Sequence, residues 1–270
     1  MSDVRIGIVG CAGRMGVALI REVANNPACV LVGGSERTES DAIGRDLGDV
    51  AGLEPLGYTV TAEPKKLFVD ADVVLDFTVP ATTADHAALA AESGAALVIG
   101  TTGLEASHMA ALESAAQTTP IIQSANMSLG VNLLVQLTQQ VAEILDPDFD
   151  IEIVEMHHRY KIDAPSGTAL ALGRAAAQGR GVDLDKVADR GRDGMPGERK
   201  RGDIGFAVLR GGNVVGDHSV VFAADNERVE LTHKATDRTI FARGAVRAAL
   251  WAHGKPPGFY GMSDVLGFEN

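Results

Sequence analysis

Between residues 4 and 123, short runs made almost wholly of Val, Ile, Leu and Ala alternate with segments of helical spacing. Residues 4–9, 30–32, 72–77, 95–99 and 121–122 read as strands, and 58–61 as a weaker one. Residues 17–24, 83–93 and 107–117 read as the helices between them, with Asn26-Pro27 and Gly94 as stops. A strand that is apolar throughout is buried on both faces, which calls for a parallel sheet covered by helices on either side. The first half is therefore expected to be α/β, a Rossmann-like doubly wound parallel sheet.

The pattern changes near residue 128. A long helix is expected over 130–145, then a strand over 151–156 and an Ala-rich helix from Pro165 to about Gln178. After a polar loop at 189–203, strand patterns at 204–209, 214–223 and 228–232 follow one another without helices. Their connections, Gly211-Gly212-Asn213 and Asp225-Asn226, have hairpin chemistry. A second α+β domain with a mixed or antiparallel sheet is the expected result. Helical spacing returns over 239–253.

The 270 residues carry a formal charge of −12. That balance argues against nucleic acid or an anionic membrane as partner, and it requires a local basic cluster wherever an anion is bound. No apolar run is long enough to span a bilayer. Cys11 and Cys29 do not make a disulfide framework. The first strand begins almost at once, leaving no room for a leader. The expectation is a cytoplasmic protein.

Gly10, Gly13 and Gly16 lie between the first strand and the first helix in a GxxGxxG spacing. Glycines there let backbone N–H groups approach a pyrophosphate at a helix N-terminus. The spacing departs from GxGxxG, but the strand–turn–helix context supports a dinucleotide site. Glu36 ends the next strand, where a carboxylate binds ribose hydroxyls. Arg37 beside it is either a 2′-phosphate ligand or a solvated arginine. The pair suggests acceptance of both NADH and NADPH. Gly100, Thr101 and Thr102 follow a later strand on the same carboxyl edge, as a second contact or as an ordinary turn.

Residues 155–169 read EMHHRYKIDAPSGTA. His157 can exchange a proton near neutrality, and Lys161 can pair with a carboxylate or give up a proton. Ser166-Gly167-Thr168 opens a helix behind Pro165, a trap for a carboxylate that also serves as an N-cap. Neither HExxH spacing nor a cysteine cluster supports a metal, and no nucleophile elbow surrounds Ser166. The parts suit an anionic imine or enamine that is protonated as hydride arrives. Another nicotinamide dehydrogenase on a similar plan, or a dinucleotide-binding redox sensor, would share the glycine loop but not this basic run.

GCAGRMG at 10–16, DFTVP at 76–80, VIGTTG at 98–103, ANMSLGVN at 125–132, the 155–169 run, RGGNVVGDH at 210–218 and FYGMSDVLGF at 259–268 together resemble the 4-hydroxy-tetrahydrodipicolinate (dihydrodipicolinate) reductase family. The resemblance implies NADH- or NADPH-dependent reduction of a cyclic dicarboxylate to tetrahydrodipicolinate, in the diaminopimelate route to lysine. It implies His157 and Lys161 as catalytic residues, and His158, Ser166, Gly167 and Thr168 as substrate ligands. Gly10, Cys11, Ala12, Gly13, Arg14, Met15, Glu36, Arg37, Gly100, Thr101, Thr102, Ser124, Ala125, Asn126 and Met127 would line the cofactor. It further implies a dinucleotide-binding domain of residues 1–127 and 238–270, a substrate-binding and oligomerisation domain of 128–237, and a homotetramer. Asn213 and Asn226 depart from the family pattern, both in expected turns.

Overall fold

The computed structural model describes residues 3–268. The chain forms two compact units, one of residues 1–129 and 239–270, the other of residues 130–238.

The first unit contains β1 (Val4–Val9), α1 (Arg14–Ala24), β2 (Cys29–Ser35), α2 (Leu47–Ala51), β3 (Val60–Thr61), α3 (Pro64–Asp70), β4 (Val73–Asp76), α4 (Thr83–Ser93), β5 (Ala96–Ile99), α5 (Ala106–Ala115) and β6 (Pro120–Gln123). A long helix, α6 (Leu129–Ile144), then enters the second unit, which adds β7 (Asp150–His157), α7 (Gly167–Gly179), α8 (Leu184–Val187), β8 (Ala188–Asp189), β9 (Ile204–Arg210), β10 (Gly216–Ala223) and β11 (Arg228–Ala235). The chain returns to the first unit with α9 (Thr239–Ala252), β12 (Gly258–Tyr260) and α10 (Met262–Leu266).

The first sheet has the order β12-β6-β5-β4-β1-β2-β3, and every neighbouring pair is parallel. Its unbroken apolar strands are explained by two cores. Val73, Leu75, Ala96 and Val98 pack with α1 and α9 on one face. Val74, Leu97 and Ile99, the alternate residues, pack with α3, α4 and α5 on the other. At about 25 cal/mol per Å² of apolar surface, burial on both faces is the main force holding each strand in place. The Rossmann-like reading of the first half holds. The weak strand at 58–61 shrinks to two residues, and β12, inside the Gly/Pro-rich tail, had no strand signal of its own.

The second sheet is mixed, in the order β11-β10-β7-β9-β8. Here residues alternate. Ile151 and Ile153 of β7, Ile204 and Phe206 of β9, and Val220 and Phe222 of β10 face a core shared with α6 and α7. Asp225-Asn226 does join an antiparallel hairpin, β10 to β11. Gly211-Gly212-Asn213 does not. β9 runs parallel to β7 on one side, β10 runs antiparallel to it on the other, and the glycines carry the chain across the end of β7. Turn chemistry identifies a reversal but not the partner, which the inward apolar set of β7 decides.

Candidate functional site

The cofactor candidates all fall at the carboxyl ends of strands in the first sheet, where open α/β sheets bind ligands. Gly10 follows β1 with φ 68°, a left-handed conformation open to glycine. A β-carbon on Gly16 would collide with the Gly10 and Cys11 carbonyl groups, so α1 can lie this close to the loop only with glycine there. The Glu36 carboxylate accepts from the Ala12 N–H at 3.1 Å, and so sits directly over the glycine loop. Gly10, Gly13, Glu36, Arg37, Thr78 and His86 are among the residues lining a cleft of about 520 Å³. Arg14 opens α1, while Arg37 is exposed at the cleft rim. The cleft, the glycine-rich loop and the adjacent carboxylate suit the adenosine and pyrophosphate of a dinucleotide.

Two of the candidates offer only backbone to a ligand. Cys11 is fully buried, its thiol pushed up to about 12 by burial and by the nearby Glu36 charge, and Met127 is packed in the core. Gly100, Thr101 and Thr102 follow β5, and Ser124, Ala125 and Asn126 follow β6, where the Ser124 hydroxyl donates to the Asn126 carbonyl at 2.8 Å. Asp76 at the end of β4, absent from the sequence-based site, organises this edge. Its buried carboxylate accepts from the Thr78 N–H and hydroxyl (2.9 and 2.6 Å) and from the Thr101 hydroxyl (3.3 Å), and it meets His86 Nδ1 at 2.7 Å.

The second unit brings His157, His158, Lys161, Ser166, Gly167 and Thr168 to one corner. Alternation along β7 points Glu155 and His157 inward, in line with Ile151 and Ile153. Glu155 is 1% exposed. Its carboxylate meets His157 Nδ1 at 2.5 Å, accepts from the Ser166 N–H at 2.9 Å and takes both Arg210 amino groups at 2.8 and 3.0 Å. Burial pushes its pKa up, but the hydrogen bonds from Arg210, His157 and Ser166 outweigh burial and hold it below the usual carboxylate range. Arg210 also donates to the Asp163 carbonyl at 2.7 Å, tying down the loop that carries Lys161. Lys161 pairs with Asp163 at 2.8 Å.

Ser166 is the N-cap of α7, and its hydroxyl oxygen accepts from the Ala169 N–H at 3.1 Å. Gly167 and Thr168 form the helix's first turn at the positive end of its dipole, and the space in front of Gly167 is open. His218 on β10 lies 3.0 Å from the Ser166 hydroxyl through Nε2 and edge-on to His157, with ring centroids 5.0 Å apart. Burial and the neighbouring His157 hold His218 down to about 4, so its ring is neutral at physiological pH. Glu155, Arg210 and His218 escaped the sequence reading of the site. Glu155 had a signal, a carboxylate at an inward position of an otherwise apolar strand face. Arg210 and His218 lie on two other strands, and only the β9-β7-β10 register places them beside it. Among the described residues no three His, Cys, Asp or Glu side chains converge as a metal site, and no helix is long and apolar enough to cross a membrane.

A parallel-sheet unit with a glycine loop, joined to a mixed-sheet unit with a buried acid–imidazole cluster and a helix-end anion cradle, defines a two-unit oxidoreductase. The family model described as dihydrodipicolinate reductase, N-terminus, matches residues 4–127, and that described as dihydrodipicolinate reductase, C-terminus, matches residues 130–266. The chain belongs to the dihydrodipicolinate reductase family. It is 58% identical over 262 residues to a 4-hydroxy-tetrahydrodipicolinate reductase of Ruegeria pomeroyi, covering 97% of each chain. A protein of the same name from Rhodopseudomonas palustris strain BisA53 is 56% identical over 270 residues, covering 100% of this chain and 99% of that one. Among solved structures, a dipicolinate-bound dihydrodipicolinate reductase from Paenisporosarcina sp. TG-14 superimposes with a TM-score of 0.78 at 26% identity, covering 97% of this chain and 99% of that one.

Proposed function

We propose that this enzyme reduces 4-hydroxy-tetrahydrodipicolinate to tetrahydrodipicolinate with NADH or NADPH, in the diaminopimelate route to lysine. The observation that supports this reading is the buried Glu155 carboxylate, which joins His157 on β7 to the Ser166 N–H at the start of α7, with Lys161 on the loop between them. A dianionic ring needs that imidazole, lysine and helix N-terminus, and the related Paenisporosarcina protein is solved with a pyridine dicarboxylate, dipicolinate.

The first unit holds the nucleotide. Gly10 to Met15 carry the pyrophosphate on backbone N–H groups, Glu36 takes the ribose hydroxyls and Arg37 a 2′-phosphate when one is present. Gly100 to Thr102 and Ser124 to Met127 complete the edge. In the second unit, Ser166, Gly167, Thr168 and His158 bind the substrate carboxylates, with Lys161 supplying positive charge. When bound, the nucleotide would supply the hydride that the substrate ring takes up as its hydroxyl is lost. The C–O bond breaks, and a proton delivered by His157 or Lys161 joins the departing hydroxide as water. One hydride and one proton are consumed, and the products are tetrahydrodipicolinate, water and oxidised nucleotide.

The test is absorbance of the reduced nicotinamide while a synthase generates the substrate in place. Decay that depends on the synthase supports the reading, and no decay with either nucleotide overturns it. We also read the second unit as the oligomerisation unit of a homotetramer. The sheet face opposite α6 and α7 carries Val154, Met156, Val221 and a half-exposed Leu209, apolar side chains that a partner's sheet would cover. A monomeric mass by light scattering would refute this. Unpaired cysteines and the lack of a membrane-crossing helix among the described residues suit a cytoplasmic enzyme.

A further inference from the structure

We infer that Glu155 is a positioning residue for this reduction: one buried carboxylate fixes both the tautomer of His157 and the Ser166 N–H that opens the substrate cradle. The inference rests on the function proposed above and extends it to a residue that touches neither substrate nor cofactor.

Glu155 occupies a position where the strand pattern calls for an aliphatic side chain. An ionised carboxylate there is costly unless donors surround it. Four donors do, and each belongs to the site. Oε2 meets His157 Nδ1 and an Arg210 amino group, while Oε1 meets the Ser166 N–H and the other Arg210 amino group. A carboxylate paired with a guanidinium only accepts, so the imidazole must offer an N–H to it. Nδ1 therefore keeps its proton, and Nε2 is left as the nitrogen through which a proton passes. Gly216 leaves that edge clear, since a β-carbon there would stand 3.0 Å from Nε2. Through Oε1 the same group sets the first residue of the helix end that would hold the substrate carboxylate. Proton carrier and anion cradle are thus referenced to one point.

The glutamine isostere separates positioning from packing. Its amide NH₂ must replace one of the two carboxylate oxygens. At Oε1 it would face the Ser166 N–H, a backbone donor that cannot adapt. At Oε2 it faces His157, which can adapt by moving its proton from Nδ1 to Nε2, and an Arg210 amino group, which keeps its bond to the Leu209 carbonyl. Glu155→Gln in the full-length enzyme, assayed with synthase-made substrate, should lower kcat about a hundredfold while the KM for nucleotide stays within about twofold. Nitrogen-15 spectra should show His157 Nδ1 protonated in the wild type and bare in the variant. Overturning results are a variant kcat within about threefold of wild type, or a bare Nδ1 in the wild type. The wild-type spectrum needs no variant and decides the matter should Glu155→Gln not fold. A wild-type enzyme that shows no turnover overturns the functional reading instead, and the spectrum still reports the hold of Glu155 on His157.

Discussion

The two candidate sites of this protein are made from opposite materials. The edge of the first unit is made of backbone: a left-handed Gly10, a Gly16 that lets α1 pack on the loop, and turns after β5 and β6. The corner of the second unit is made of charge taken out of water, with Glu155 at its centre and His157, Arg210 and Ser166 around it. A backbone site tolerates the loss of single side chains around it and fails when one is added. A buried charge cluster fails when one is removed, because its remaining members are left without partners.

The largest test of that contrast is Lys161→Ala. It should lower kcat roughly a thousandfold, about 4 kcal/mol of barrier, with little change in nucleotide affinity. Near-normal turnover would remove Lys161 from the chemistry. Arg210→Met should come next, destabilising the fold by roughly 3 kcal/mol in urea titration, because it strips Glu155 of its ion pair. A loss well under 1 kcal/mol would mean that the cluster is not held by charge.

Acid should act on the second unit in the same way. His218 titrates near 4 in the native state, below its ordinary value of 6.5, held down by burial and His157 against the pull of Glu155, with His233 and Lys161 adding to the depression. Between those values the unfolded chain binds a proton that the native state refuses. Stability is therefore lost as pH falls from about 6.5 towards 4, by at most about 3 kcal/mol from this group. His218→Gln should flatten that slope, and an unchanged slope would assign the loss to other groups. The smallest effect expected is at the backbone edge. Glu36→Ala should weaken NADH about tenfold and NADPH less, and equal losses would argue against the ribose contact.

The same contrast governs what could be read from sequence. Features carried by one short stretch leave local signatures, so the glycine loop, Glu36 at the end of its strand and the helix opening at Ser166 are each visible from a few neighbouring residues. The α/β class was legible because strands 73–76 and 96–99 are apolar at nearly every position, which only burial on both faces explains. The charge cluster joins residues 155, 166, 210 and 218, whose proximity depends on β7 lying between β9 and β10. No local pattern specifies that order, and the glycines at 211 and 212 pointed to a hairpin instead. β12 was missed for a similar reason, since three residues carry no periodicity and only their pairing with Pro120, Ile121 and Ile122 makes them a strand.

That last pairing has a consequence for how the molecule is made. β12 closes one edge of the first sheet, and α9 and α10 complete one of its cores, yet all three come from beyond residue 238. On a ribosome the mixed-sheet unit emerges whole while the parallel-sheet unit still lacks its final strand. The part of the chain translated first is thus the part finished last, and a nascent chain halted short of residue 258 would carry β6 as an open edge, the kind of surface that recruits chaperones.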